Sequence, residues 1–197
     1  MRTSLAMLLI IAAAAMAQEP AVPRSNIWVE TVKRGEMAVK VRALGVLREK
    51  GLAGLNIPEA AAKQVSPGQT ASIDTGQGVV NGRVVSVEPA AGGMVTALVR
   101  LEGTLPSQAR PGQEVDGTVD VETLSDVVYA GRPVSFQASG GTIFKVEADG
   151  RHAARVKVQY GRASVNQVQI VNGLAPGDRV ILSNMSAYQK YDRVALR

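Results

Sequence analysis

The sequence contains no cysteine, one histidine and few aromatic residues: two Phe, four Tyr and one Trp among 197 residues. The absence of cysteine excludes disulfide frameworks, thiolate metal sites, cysteine nucleophiles and lipid attachment at a lipoprotein cysteine. Nucleic-acid binding uses stacking rings beside a clustered basic face, whereas the Lys and Arg residues here are scattered. The formal net charge of +5 therefore concerns solubility and weak attraction to acidic surfaces.

Motifs for catalysis and for metal binding are also missing. There is no G-x-S-x-G elbow, and the only histidine, His152, closely follows the turn dipeptide Asp149-Gly150, where an exposed loop side chain is the simpler interpretation. Four carboxylates lack the density of a calcium loop and suit a solvated strand edge: Asp116, Asp120, Glu122 and Asp126. We therefore expect a non-enzymatic protein with no catalytic residue, no metal site and no cofactor.

The only long apolar run stands at the N-terminus, in MRTSLAMLLIIAAAAMAQEP. Arg2 precedes the apolar residues, and small residues lead to a cleavage position between Ala17 and Gln18, which is the layout of a secretory signal peptide. The run is short for a hydrocarbon layer of roughly 30 Å. We predict export to the periplasm with residues 1–17 as the signal peptide; an uncleaved N-terminal anchor is the alternative.

The remaining sequence predicts an all-β fold. Val, Ile and Thr alternate with polar residues from Gln69 onward, with glycine-containing breaks at short intervals, as in a sandwich or barrel. The segment 27–47 alternates similarly and predicts one or two strands, while Pro58 and the alanines after it predict one short helix over 59–65. Further strands are predicted at 70–74, 79–88, 94–102, 114–121, 134–137, 142–147, 154–160, 167–171 and 179–183.

Glycine-containing turns divide these strands. Asp149-Gly150 predicts a hairpin, and the segment Asp74 to Gly78 predicts another, with the nearby Gly82 as a bulge. Three Pro-Gly pairs occur in VSPGQTASI, ARPGQEVDG and LAPGDRVIL. Each suits a type II turn that leads into a strand, because Pro fixes φ and Gly supplies a positive φ. Their unequal spacing excludes a sequence repeat, and none has the glycine pattern and lysine of a phosphate loop.

The order of these motifs resembles a known family. The sequence contains Pro58-Glu59, then the PGQ of Pro67 to Gln69, the G-R-V-x-x-V-x-P of Gly82 to Pro89, a second PGQ at Pro111, and a closing segment from Val158 to GLAPGDRVI. This succession resembles the periplasmic adaptor subunits of bacterial tripartite efflux and secretion systems, which are the haemolysin-D-like membrane fusion proteins.

The resemblance implies two β domains. Residues 52–124 would form a β-barrel domain, and residues 127–197 a membrane-proximal β domain completed by an N-terminal strand within 27–48. Family members place a lipoyl domain and an α-helical hairpin between that strand and the barrel, whereas only REKGLAG separates Leu47 from Leu55 here. Either the protein is a reduced adaptor or its coding sequence has lost its middle. Contact with an outer-membrane channel is doubtful without the hairpin.

The implied function is that of a periplasmic adaptor or accessory subunit that binds the periplasmic face of an inner-membrane transporter and self-associates around it. The tail ILSNMSAYQKYDRVAL resembles adaptors of ABC-type rather than RND-type transporters. The predicted partner-binding surface comprises loops around Arg132, Phe136, Arg151 and His152, although Phe136 is equally compatible with a core position. The rival hypothesis is a stand-alone periplasmic β protein that binds a small ligand or scaffolds the envelope.

Overall fold

The computed structural model describes residues 19–197, so the predicted signal peptide and its cleavage position at Ala17 and Gln18 lie outside the described residues. The all-β prediction is confirmed, since the described chain contains thirteen strands and one four-residue α-helix. The helix, α1, is Glu59–Ala62. The strands are β1 Ala21–Val22, β2 Val29–Thr31, β3 Lys33–Arg48, β4 Leu52–Pro58, β5 Thr70–Asp74, β6 Val79–Pro89, β7 Met94–Leu101, β8 Glu114–Gly131, β9 Gly141–Val146, β10 His152–Ala163, β11 Gln167–Asn172, β12 Arg179–Ile181 and β13 Arg193–Leu196.

Six antiparallel strands form a closed barrel in the order β8-β3-β4-β7-β6-β5, and the pairing of β5 with β8 closes it. Its interior is one apolar cluster that includes Leu47, Leu55, Ile73, Val99 and Val119. Alternate residues of each strand point inward, as the period-two pattern predicts. Closure leaves each of the six strands with two neighbours, which removes the unpaired edges that promote aggregation.

A second group of strands lies beyond the barrel. The end of β8 pairs with β11, where Ala130 lies opposite Val168, and the order continues β10-β9-β12-β2. The apolar residues between these strands form two further clusters, one around Phe144 and Ile181 and the other around Val158 and Val168. The fold therefore places its buried apolar residues in a barrel core and in a second region at the other end of β3 and β8.

Both ends of the described chain contribute to the second region. Strand β2 pairs with β12, and β1 runs parallel to β13, where Ala21 lies opposite Ala195. The long strand β3 pairs with β8 from Lys33 opposite Tyr129 to Val46 opposite Glu114, and so extends through both regions. The domain boundaries predicted from the sequence resemblance stay predictions. A three-residue 3-10 turn, Glu49–Gly51, connects β3 directly to β4.

The three Pro-Gly turns have the predicted geometry. The glycines at 68, 112 and 177 have φ of +93°, +88° and +94°. In each turn the residue before proline accepts a hydrogen bond from the N–H of the residue after glycine. That following residue also returns a bond through its side chain, whose oxygen accepts from the N–H of the residue before proline; the three are Gln69, Gln113 and Asp178.

Each Pro-Gly turn is also bonded to one buried apolar residue of a neighbouring segment. The glycine N–H donates to that residue's carbonyl, and that residue's N–H donates to the carbonyl of the residue after glycine. The residues held in this way are Val84, Leu47 and Val32, which are at most 3% exposed. The Pro-Gly sequence therefore marks a recurrent docking arrangement, and this arrangement satisfies backbone groups that would otherwise be buried without partners.

Two local predictions were wrong, and the predicted helix is shorter than expected. Residues 134–137 form a turn and an irregular segment instead of a strand, because Pro133 cannot donate to a ladder and its carbonyl accepts from Phe136 N. The helix ends at Ala62, after which bonds between residues three apart tighten the chain before Val65. Gly82 is not a bulge: it pairs with both neighbouring strands, and the irregularity in β6 lies between Val84 and Ser86.

Both predicted hairpins are confirmed. Asp74 lies opposite Val79 across the first turn, and β9 pairs with β10 across the second. The second turn is wider than the dipeptide alone predicts, since only Gly150 has a positive φ and its N–H donates to Glu147 O at 2.9 Å. Within residues 19–197, none of the helices has the length and apolar character needed to cross a bilayer.

Replacement of the turn amide should destabilise the barrel. Gln113 Nε2 donates to Thr75 O at 2.7 Å, and Gln113 Oε1 accepts from Arg110 N at 3.3 Å. We expect Gln113→Ala to lower the free energy of unfolding by about 1 kcal/mol, because the Thr75 carbonyl loses its partly buried hydrogen bond. Gln108, which is exposed, supplies the control: Gln108→Ala should change it by less than about 0.5 kcal/mol. Equal values for the two variants in urea titrations would contradict a structural role of the turn amide.

Candidate protein-binding groove

The structure divides the four residues of the predicted partner-binding surface into two pairs. Arg132 and Phe136 lie together after the end of β8, whereas Arg151 and His152 lie at the turn between β9 and β10. Within residues 19–197, no hydrogen bond, ion pair or ring contact joins the two pairs. The predicted surface therefore contains two groups of candidate residues, and partner binding at either group stays a prediction.

The first pair forms a fixed aromatic and cationic cluster. The guanidinium carbon of Arg132 lies 4.5 Å from the centroid of the Phe136 ring, and Arg132 also donates to Ser164 O at 3.2 Å. Phe136 is half-buried, and its ring lies 5.3 Å from that of Tyr160 at an angle of 50°. Burial raises the pKa of the Tyr160 hydroxyl. Phe136 thus packs against the core and at the same time orients an exposed arginine.

An apolar groove of about 360 Å³ opens beside Arg132. Three large apolar side chains at its rim are unusually exposed: Trp28 is 68% exposed, Val134 73% and Val165 38%. Burying such side chains against a partner is favourable by roughly 1.5–3 kcal/mol each. The remaining lining residues are Glu30, Gly131, Arg132, Pro133, Asn166, Leu182 and Ser183.

Backbone hydrogen bonds hold the groove in shape. Leu182 N donates to Trp28 O at 2.8 Å, and Val134 N donates to Leu182 O at 3.0 Å. Across the groove, Arg132 N donates to Asn166 O at 2.9 Å. Four separate segments are therefore fixed relative to one another before any partner binds, which reduces the entropy lost on association.

The groove is lined by one glutamate and by one arginine that has no carboxylate partner within the described residues. Within the described part of the chain, carboxylates lie within 4.0 Å of Arg34, Arg162 and Arg193, but none lies that close to Arg132. Glu30, the acidic residue of the lining, has its carboxylate against Gly131. Arg132 is thus available for a carboxylate supplied by another molecule, while its position is set by contacts within the chain.

The partner-binding surface predicted from the sequence includes Arg132 but not the exposed apolar residues of the groove. Trp28 is the only tryptophan and immediately precedes β2, yet its exposure depends on the distant segment 182–183 to which it is bonded. The sequence predicts a strand at Val134, whereas the residue lies in a turn. A tryptophan in an otherwise aromatic-poor chain was the one available signal, because tryptophan is enriched at protein interfaces.

The second pair belongs to a network of ion pairs around the β9–β10 turn. Asp149 accepts from the backbone N–H groups of Arg151 and His152 at 2.8 and 3.1 Å, and lies 2.5 Å from His152 Nδ1. The His152 hydrogen bond, followed by these amides, lowers the pKa of Asp149 to about 2. His152 Nε2 is 3.5 Å from Glu19. The predicted exposed loop histidine is therefore a half-buried member of a polar cluster.

Arg193 completes this network. It binds both oxygens of Glu147, at 2.8 and 2.7 Å, and Glu19 at 2.7 Å. These hydrogen bonds raise the pKa of Arg193 above its ordinary range and lower that of Glu147. The start of the described chain is thereby attached to β13 and to the turn.

The same turn contains residues of the types that bind metal ions. Single ligand atoms of Glu147, Asp149 and His152 lie within 4.8 Å of one another. Both Glu147 oxygens are bound to Arg193, and Asp149 is bound to His152 and to two amides. A metal ion would have to displace these partners, so the geometry fits a structural ion-pair network.

The Asp149 contacts predict an acid-sensitive contribution to stability. The pKa of its carboxyl is about 2 in the folded protein and about 3.9 in an unfolded chain. Its contribution is therefore complete above the unfolded pKa and is lost as the pH falls through the folded pKa. We expect Asp149→Asn to destabilise the protein at pH 7 and to have little effect near pH 2, as measured by urea unfolding at both values. Glu36→Gln, at an exposed position, is the control; an Asp149→Asn effect independent of pH would contradict the assignment.

No protein-family model and no curated protein matches the chain. Among solved structures, the chain is similar to MacA from Actinobacillus actinomycetemcomitans, with 16% identity over 68% of this chain and 42% of that chain and a TM-score of 0.44. It is also similar to ZneB from Cupriavidus metallidurans, with 17% identity over 68% of this chain and 40% of that chain and a TM-score of 0.35. The chain thus spans about two fifths of the length of either structure, and a likeness this weak assigns neither family nor activity.

Proposed function

We propose that the protein is a non-enzymatic periplasmic adaptor or accessory subunit of a bacterial efflux or export pump. The proposal rests on the ordered motifs of the sequence and on the apolar groove beside Arg132. The protein would bind the periplasmic face of an inner-membrane transporter, with an ABC-type transporter favoured over an RND-type one by the C-terminal tail. Its role would be mechanical, because such a subunit acts through its shape and its interfaces and not through catalysis.

The observation that carries the proposal is the exposure of Trp28, Val134 and Val165 around one groove. Exposed apolar groups that converge on a preorganised groove favour a protein partner, since a folded surface gains nothing from leaving them in water. Tryptophan and arginine are also the residue types most often found at binding hot spots. The groove therefore fits a segment of another protein better than the substrate of an enzyme.

The charge of the groove narrows the chemistry of that segment. An apolar side chain would enter between Trp28 and Val134, and a neighbouring carboxylate would reach the guanidinium of Arg132. The arginine is already oriented by Phe136 and Ser164, so forming the ion pair would require little ordering of its side chain. We therefore propose an acidic and apolar segment of the transporter as the occupant. Self-association around the transporter would use other surfaces.

Site-specific photocrosslinking tests this contact. A benzophenone amino acid replaces Val134 in the full chain, expressed in its native host, and membranes are irradiated before solubilisation. We expect one inner-membrane transporter subunit to be crosslinked, since Val134 is 73% exposed at the groove. Trp28→Ala should reduce the yield by about thirtyfold, which corresponds to a hot-spot loss of about 2 kcal/mol.

Val79 provides the matched control. It is 65% exposed on barrel strand β6 and does not line the groove, so the same probe there should give no transporter product. Recovery of the protein without any transporter would overturn the adaptor proposal and leave a stand-alone periplasmic protein. Crosslinking of Val134 to a second copy of the chain would reassign the groove to self-association.

A further inference from the structure

The sequence contains two Asn-Gly pairs, Asn81-Gly82 and Asn172-Gly173, of which the latter ends β11 and lies at the surface. It borders a cavity of about 540 Å³, at the position along β10 where the pairing partner changes from β9 to β11. The other residues that line this cavity are Gly141, Thr142, Lys157, Val158 and Gln159. None of them belongs to the groove beside Arg132, so the pair is outside the proposed binding site.

The fold requires glycine at position 173. Its φ is +99°, and a Cβ there would lie 2.1 Å from the carbonyl oxygen of Lys157. Any other residue would clash with backbone that is itself held by the sheet. Asn172 caps the turn, because its Oδ1 accepts a hydrogen bond from Gly173 N at 2.8 Å. The turn therefore uses an Asn-Gly dipeptide, and this dipeptide is chemically labile.

The hydrogen bond places the reacting groups together. Asn172 Oδ1 is bonded to Cγ, so the carboxamide carbon lies within one C=O bond length of the oxygen that contacts Gly173 N. Glycine has no side chain to obstruct approach of its nitrogen to that carbon. The N–H has this side-chain partner and no strand ladder to hold it, since β11 ends at Asn172.

We propose that Asn172 is a site of spontaneous deamidation in the folded protein. Gly173 N loses its proton to solvent base and attacks Asn172 Cγ; a C–N bond forms, and the side-chain nitrogen takes up a proton and leaves as ammonia. The resulting five-membered succinimide is opened by one water molecule. Attack at the side-chain carbonyl gives aspartate, and attack at the main-chain carbonyl gives isoaspartate. No oxidant, enzyme or cofactor is consumed.

The sequence contains a matched internal control. Asn81-Gly82 is the same dipeptide, but it lies within β6, where Gly82 pairs with Ala71 on one side and Leu101 on the other. Asn81 O also accepts from Glu102 N at 2.8 Å. The backbone would have to leave two ladders before ring closure, so this pair can react only after local opening of the barrel.

Deamidation would alter the cavity between β9, β10 and β11. Either product carries a new carboxylate at position 172, in a cavity that Lys157 also lines. Isoaspartate in addition diverts the backbone through the side-chain methylene. That change would displace Gly173 from Lys157 O and weaken the last β10–β11 pair, Gln159 opposite Asn172. The modification therefore changes both local charge and strand pairing.

Incubation of the folded full chain at mildly alkaline pH tests the proposal. Proteolytic peptides are then separated and weighed, and isoaspartate is measured with an isoaspartyl methyltransferase. We expect conversion at Asn172 to be at least about tenfold faster than at Asn81, because opening of the barrel ladder must precede reaction at the latter. In urea-unfolded protein the two sites should react at similar rates, which shows that the fold causes the difference.

The variant Asn172→Gln serves as the assignment control, since closure of the larger ring is slow and the isoaspartate signal of the folded protein should disappear. An amide at Asn172 that stays intact in folded protein, while the unfolded chain converts, would overturn the proposal. Equal conversion of Asn81 and Asn172 in the folded state would also overturn it. Neither outcome depends on whether the protein binds a transporter.

Discussion

The structure depends on the antiparallel ladder between β3 and β8. This pairing forms one side of the barrel and then continues into the second region, where β8 also pairs with β11. Two of the three Pro-Gly turns are bonded to the ends of β3, one at Val32 and the other at Leu47. The strand is thus fixed at both ends by segments distant in sequence. Because the ladder is shared, loosening it would expose apolar residues of both regions at once.

The ladder also positions the groove. Its two irregularities lie between Gly35 and Met37 and between Val39 and Lys40. Near the second, Lys40 N donates to the buried Ser164 Oγ at 3.0 Å, which attaches the β10–β11 turn to β3. That turn places Val165 at the groove, and its Ser164 carbonyl accepts the hydrogen bond from the Arg132 guanidinium. The groove is therefore a consequence of long-range pairing and not of one local motif.

The sequence predicted those parts of the structure that depend on local chemistry. Period-two alternation, the Pro-Gly turns and both hairpins were recovered because each is determined within a few residues. The division of the predicted surface into two clusters was not recovered, since it depends on where β8 ends. Asp149 and His152 are near neighbours in sequence, but His152 also lies close to Glu19, and Glu19 in turn binds Arg193 from the other end of the described chain. No pattern within a short window contains such contacts.

The exposed rim of the groove is best understood as a compromise between folding and association. A core position would be more favourable for Trp28, Val134 and Val165. Hydrogen bonds of Leu182 and Asn166 instead fix the segments that carry these residues around the groove. The chain also surrounds Arg132 with a ring and a carbonyl instead of a carboxylate. In the isolated protein the apolar side chains therefore stay in contact with water, and Arg132 lacks an ion pair within the described residues. The free energy of burying and pairing these groups becomes available only when a complementary surface excludes water, and this is the physical basis of the contact proposed for the groove.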